Sequence, residues 1–213
     1  VWALRSPNTP KVQGTHPISE TVYPGPVVVP GKYAVTLTVG EASQTQSFTL
    51  APRPDLASTQ EDLQAQFDLY LSIWRKLGET IATINCMRDL RQQLDGWAKR
   101  ADLPEGQPIA ESAAALRDKV LDIEKMLQVP DLRPGWPDQN NNGIRLLEKL
   151  GGMIPLVSLG DYRPTDQAHG VFEDLCSRID AQVERFDELV SNDLPAFNAL
   201  VNEAQVGPVV LRS

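Results

Sequence analysis

The chain has 213 residues, 41% of them hydrophobic and 23% charged, with a formal net charge of −8. That is enough chain to bury a core, and the acidic balance excludes a protein that holds nucleic acid by displacing counterions from phosphates. No apolar run approaches the roughly 18–20 residues a membrane span needs, and the charge opposes docking on anionic lipid, so no membrane insertion is expected.

The sequence opens Val1-Trp2-Ala3-Leu4-Arg5, with neither an initiator Met nor a basic segment followed by an apolar one. This implies an extracytoplasmic protein whose export signal is gone, and a chain that begins inside a longer polypeptide. Composition changes near residue 55, from Pro, Gly, Val and Thr to residues at helical spacing. Residues 1–54 and 55–213 are therefore predicted as two parts, with Pro52-Arg53-Pro54-Asp55 as the linker.

In the first part, Lys32 to Val39 alternates with period 2, placing Tyr33, Val35, Leu37 and Val39 on one face of a strand. Gly40-Glu41-Ala42-Ser43 supplies a turn, and Gln44 to Leu50 the return strand. Val27-Val28-Val29 and Trp2–Arg5 are further candidate strands. So few strands make a marginal free sheet, which either packs on the helices or is the remnant of an immunoglobulin-like β-sandwich whose other strands lie upstream.

The second part opens on Ser58-Thr59-Gln60-Glu61, which fits a capping box. Leu63, Phe67, Tyr70, Trp74, Leu77, Ile81 and Ile84 follow at steps of 4 and 3, continuing through Leu90, Leu94 and Trp97. That seam predicts one helix of about 40 residues. Pro104 to Pro108 ends it, and Leu116, Val120, Ile123 and Leu127 mark a second helix over Ile109–Gln128. A third, over Gly143–Val157, is weakened by Gly151, Gly152 and Pro155. The fourth is capped at Pro164-Thr165-Asp166 and seamed by Phe172, Cys176, Ile179, Val183, Phe186 and Val190. Pro195 predicts a kink or restart, with Asp193 as a local cap. The fold class is α+β, mostly α: a partial β-sandwich, then an up-down-up-down antiparallel four-helix bundle. In that layout Cys86 and Cys176 fall within one turn of the same level, making them a candidate disulfide; the alternative is two buried free thiols.

Chemistry-bearing patterns are sparse. Asp138-Gln139-Asn140-Asn141-Asn142-Gly143 copies the start of a calcium loop, but the twelfth position is Lys149 and Glu148 falls one place short. An Asn-rich turn capping the third helix is the expected reading. His16 and His169 lie far apart, and no nucleophile motif or phosphate loop occurs. Glu61, Asp62, Asp89, Asp118, Glu184 and Glu188 face away from the seams, as a solvated surface would. Trp74 and Trp97 sit at seam spacing, whereas Trp2 and Trp136 are free to meet a partner. No catalytic residue, cofactor or metal ligand is assigned.

Trp2-Ala3-Leu4-Arg5, Pro24-Gly25-Pro26, Pro30 to Val39, Ala51-Pro52-Arg53-Pro54-Asp55, Ile84-Asn85-Cys86-Met87-Arg88-Asp89-Leu90 and Asp193 to Leu200 together resemble a known family. They are similar to the C-terminal region of bacterial sortilin-like (VPS10-like) BNR/Asp-box repeat proteins, often labelled glycosyl hydrolases. The resemblance implies an exported protein whose β-propeller lies upstream, since no Asp-box pattern occurs in this chain. Partners would then be that propeller or another copy of the chain. A structural or interaction module is the expected function; an accessory part of a glycoside hydrolase and a small-ligand binder are the alternatives.

Overall fold

The computed structural model describes residues 2–14, 22–55, 57–99, 107–130 and 143–204. Strands β1 (Gly31–Val39) and β2 (Ala42–Leu50) form an antiparallel ribbon in unbroken register, from Gly31 opposite Leu50 to Val39 opposite Ala42. Gly40 takes φ +59° while Glu41 stays negative, the pattern of a type II′ turn whose twist suits a two-residue hairpin. Tyr33, Val35, Leu37, Val39 and Phe48 share one face, since Tyr33 pairs with Phe48. Hydroxyls line the other, where Thr36 meets Thr45 at 2.9 Å and Thr38 meets Ser43 at 3.5 Å. The candidate strands at Trp2–Arg5 and Val27–Val29 reduce to one bridge between Arg5 and Val27. Gly25 sits where a Cβ would lie 2.4 Å from the Ser6 carbonyl oxygen, so only glycine lets these segments approach. Among the described residues the sheet has two strands.

Helix α1 (Gln60–Ala98) is one continuous rod of 39 residues, about 58 Å long. Its capping box lies one residue later than predicted: Thr59 Oγ1 accepts from the Asp62 N–H at 3.1 Å, and Asp62 accepts from the Thr59 N–H at 3.1 Å. Leu63, Tyr70, Leu77, Ile81, Ile84, Leu90, Leu94 and Trp97 are buried as the seam predicts, joined by Leu69, Ile73 and Met87. Phe67 and Trp74 are only half-buried. A helix with neighbours on two sides buries a wider stripe than a heptad seam, and the extra positions come from that width.

Helix α2 (Gln107–Leu127) buries Leu116, Val120, Ile123 and Leu127, the predicted face. The predicted third helix is two, α3 (Leu146–Gly151) and α4 (Met153–Ser158), with Gly152 closing one and opening the next. Pro155 falls in the first turn of α4, where its missing N–H costs nothing. Helix α5 (Asp166–Glu203) starts at the predicted Thr165 cap and runs unbroken through Pro195, which is exposed. Asp193 does not cap a restart; it pairs with Lys119 at 2.9 Å.

Contacts between helices give their directions. Arg117 meets Asp95 at 3.2 Å and Glu124 meets Arg88 at 2.7 Å, so α2 runs antiparallel to the second half of α1. Helices α3 and α4 continue downward, and Gln66 donates to the Val157 carbonyl at 2.7 Å near the start of α1. Helix α5 then runs parallel to α1. Lys76 pairs with Asp180 toward the middle, and Trp97 packs edge-on against Phe197 at 6.3 Å near the far end. The bundle is thus up-down-up with a broken middle helix, not up-down-up-down. Two pieces of 21 and 13 residues are needed to cover α1, because together they reach about 50 Å.

The N-terminal segments lie along this bundle, where Val12 and Thr9 are buried against it. Tyr23 covers α3 so closely that a Cβ on Gly151 would lie 2.0 Å from its ring. Alanine normally stabilises a helix interior by about 0.5–1 kcal/mol over glycine. Gly151→Ala should instead lower the thermal midpoint, while Gly96→Ala in α1, where nothing stands within 4 Å, should raise it.

Candidate functional site

The densest polar arrangement joins α1, α2 and the N-terminal segment. Glu124 has no exposed surface, yet it lies on the apolar face of α2 between Ile123 and Leu127. Arg88 and Arg91 of α1 both reach it, Arg88 Nε donating to Oε1 at 2.7 Å and Arg91 to Oε2. Arg88 also donates to Gln128 Oε1 at 3.1 Å, to the Pro130 carbonyl at 3.0 Å and to the Gln13 carbonyl. One turn earlier, Asn85 accepts from the Gln13 N–H at 2.7 Å and donates to the Lys11 carbonyl at 2.9 Å. These bonds engage both carboxylate oxygens of Glu124, so the cluster acts as a clamp between the helices. A shallow cavity of about 320 Å³ opens beside it, lined by Gln13, Arg88, Asp89, Arg91 and Asp95. Its charges are mixed, which favours no particular ligand. The sequence marks Arg88 only within the segment from Ile84 to Leu90 and does not single out Glu124; the available signal was an acidic residue flanking an apolar stripe.

The candidate disulfide is out of reach, because α1 and α5 run parallel. Asp187 stands close enough to Cys86 to act on its thiol, and Cys176 lies eleven residues earlier on the same helix. That is an axial separation of about 16 Å, whereas bridged cysteines need Cα atoms closer than about 7 Å. Both thiols are free. Burial pushes both above their ordinary range, with Asp89 and Asp187 adding at Cys86 and Lys76 opposing at Cys176. Protonated thiols are poor nucleophiles.

The other nominated residues stay apart. His169 is in the first turn of α5; His16, Trp136 and the calcium-like residues 138–142 lie outside the described residues. Glu148, beside the would-be twelfth position, turns back to accept from the Arg145 N–H at 3.1 Å. Glu61, Asp118, Glu184 and Glu188 are exposed, and Asp62 serves the α1 cap, where the Thr59 hydroxyl and Arg163 hold its pKa at about 2. Trp97 is core and Trp74 half-buried. Among the described residues no group of His, Cys, Asp and Glu could hold a metal, and no helix is long and apolar enough to cross a membrane.

The described surface carries two exposed apolar areas. Val35, Leu37 and Val39 are 57%, 67% and 68% exposed on one ribbon face. Trp2 packs edge-on at one end of that face, 5.8 Å from Tyr33 and 6.3 Å from Phe48. A second apolar patch follows the groove between α4 and α5, where Ile144, Leu156 and Val171 are exposed. The chain matches no protein family, no curated protein and no solved structure.

Removing Glu124 leaves two part-buried guanidinium groups without their anion, so Glu124→Ala should cost on the order of 3 kcal/mol in urea denaturation. Arg88→Met, Arg91→Met and Glu124→Leu combined should recover most of that loss. Burial also raises the Glu148 pKa, so the native state holds this proton more tightly than the unfolded chain. Stability from this group therefore falls as pH rises from the ordinary carboxylate range through the folded value. Glu148→Gln should flatten that slope in thermal melts between pH 4 and 8 and raise the midpoint at pH 7.

Proposed function

We propose that this chain is a non-catalytic structural and protein-interaction module of a larger exported protein, related to the C-terminal region of sortilin-like β-propeller proteins. Its contact element is the β1–β2 ribbon, which completes an immunoglobulin-like sandwich with strands contributed by the rest of the parent. The bare apolar face of that ribbon carries this reading. Tyr33, Val35, Leu37 and Val39 alternate with Ala34, Thr36 and Thr38 as in a sheet with one covered and one wet side, and face Phe48, Gln46, Gln44 and Ala42 across the pair. Between Lys32 and Glu41 neither strand edge carries a charge or a proline, and β2 has none at all. Natural proteins blunt exposed edges with such residues, so edges without them call for a covering strand.

Size selects a tethered partner over a free one. A face of two nine-residue strands offers on the order of 300 Å², well below the roughly 800 Å² per partner of a stable complex between separate molecules. A covering sheet in the same polypeptide needs no such area, because its effective concentration is already high.

Hydrogen exchange of residues 31–50 should be fast in this chain alone and at least a hundredfold slower in the parent polypeptide. Equal exchange in both would sink the proposal. Leu37→Glu should destabilise the parent, while Thr36→Glu, on the hydroxyl face, should leave it unchanged.

A further inference from the structure

The groove between α4 and α5 is a separate surface, and nothing in the clamp or the ribbon accounts for it. It is an open channel of about 750 Å³ floored by Met153 and Leu175, with Ile144, Leu156 and Val171 standing exposed along it. Gly170 lowers the α5 wall, since a Cβ there would meet nothing within 4 Å. We propose that α5 of a second copy of this chain lies antiparallel in this groove, forming a two-fold dimer.

Charge on the α5 wall selects that occupant. Asp174 and Arg178 sit one turn apart and pair with each other at 3.3 Å, yet both line the groove and stay at least half exposed, free to take a second partner. A two-fold axis at the level of residue 176 sets Asp174 against the second copy's Arg178, and Arg178 against its Asp174. Both charges are satisfied twice over by one operation, the self-complementarity an isologous interface requires. A parallel copy in register would set like charges together. Gln167, Val171, Asp174, Arg178, Ala181 and Arg185 follow one another at steps of 4, 3, 4, 3 and 4, a single stripe down the helix. The same axis places Val171 opposite the second copy's Ala181 and Gln167 opposite its Arg185. Leu156 and Ile144 then flank the incoming helix, and Gly170 permits its close approach. Two such patches make a small interface, so association should be weak and concentration-dependent.

Sedimentation equilibrium across 1–200 µM should show a dimer growing with concentration. Asp174→Arg and Arg178→Asp should each weaken it at least tenfold, because every facing pair then carries like charges. Mixing the two variants should restore a heterodimer, since one copy is then positive at both positions and the other negative. Circular dichroism on each variant checks that these exposed changes leave the helices intact. A chain monomeric throughout, a dimer indifferent to both substitutions, or a mixture that fails to pair would overturn the proposal. So would a dimer lost in Leu37→Glu but kept in the charge variants, which would assign association to the ribbon instead.

Discussion

Glu124 sets the register on which the bundle depends. An apolar seam alone fixes the face but neither direction nor height: a helix can slide past its neighbour by one heptad, about 10 Å, and again set leucine against leucine. A carboxylate with no exposed surface has no such freedom. Displaced from Arg88 and Arg91, it would be a buried unpaired charge, a penalty of several kcal/mol that no regained apolar contact offsets. Arg88 then carries the same constraint outward, because its guanidinium also holds the Gln13 and Pro130 carbonyls. One side chain thereby ties together the long helix, the end of α2 and the N-terminal segment.

That tie matters for the ribbon, which has almost no core of its own. Its position comes through the segment preceding it: Asn85 and Arg88 anchor that segment mid-helix, and Tyr70 donates to the Pro24 carbonyl at 3.3 Å. Gln60 reaches the Pro30 carbonyl at 2.9 Å just before β1 begins. The bare apolar face is therefore presented at the N-terminal end of α1 by a chain of backbone contacts. A ribbon free on a linker would lose more entropy on docking than one already held.

Helix extents were legible because caps and apolar periods are local. Thr165 opened α5 where the sequence placed it, and Leu116 to Leu127 gave the face of α2. Helix direction was not legible, since an apolar stripe reads the same up or down. Chain reversal at every break is only a habit of short loops, and α3 and α4 continue the path of α2 instead. The disulfide expectation failed with it, because the equal height of Cys86 and Cys176 assumed an antiparallel α1 and α5. Pro195 misled for a different reason: on an exposed face the carbonyl it leaves unpaired can bond to water, so the helix need not break there. The clamp was hidden among 28 acidic residues, of which burial distinguishes Glu124. Of the β part, the hairpin and its apolar face were legible, while the strands that would complete a sandwich are not among the described residues.

The two contact surfaces share one end of the molecule without overlapping. The α5 wall of the groove spans residues 167–178, level with the first turns of α1 because Lys76 pairs with Asp180. The ribbon begins at that same end, where Gln60 holds Pro30. In the proposed antiparallel pair, residue 176 marks the axis, ten residues from the start of α5. Each ribbon then lies at least about 15 Å beyond the axis, on opposite sides. The bases of the two ribbons are thus set apart along the proposed pair. In the two proposals taken together, the helices join copies of the chain and the sheet serves the covering strands. That division asks the helices for a weak reversible contact and the sheet for a permanent one, which matches the charged groove on one side and the neutral, unguarded ribbon on the other.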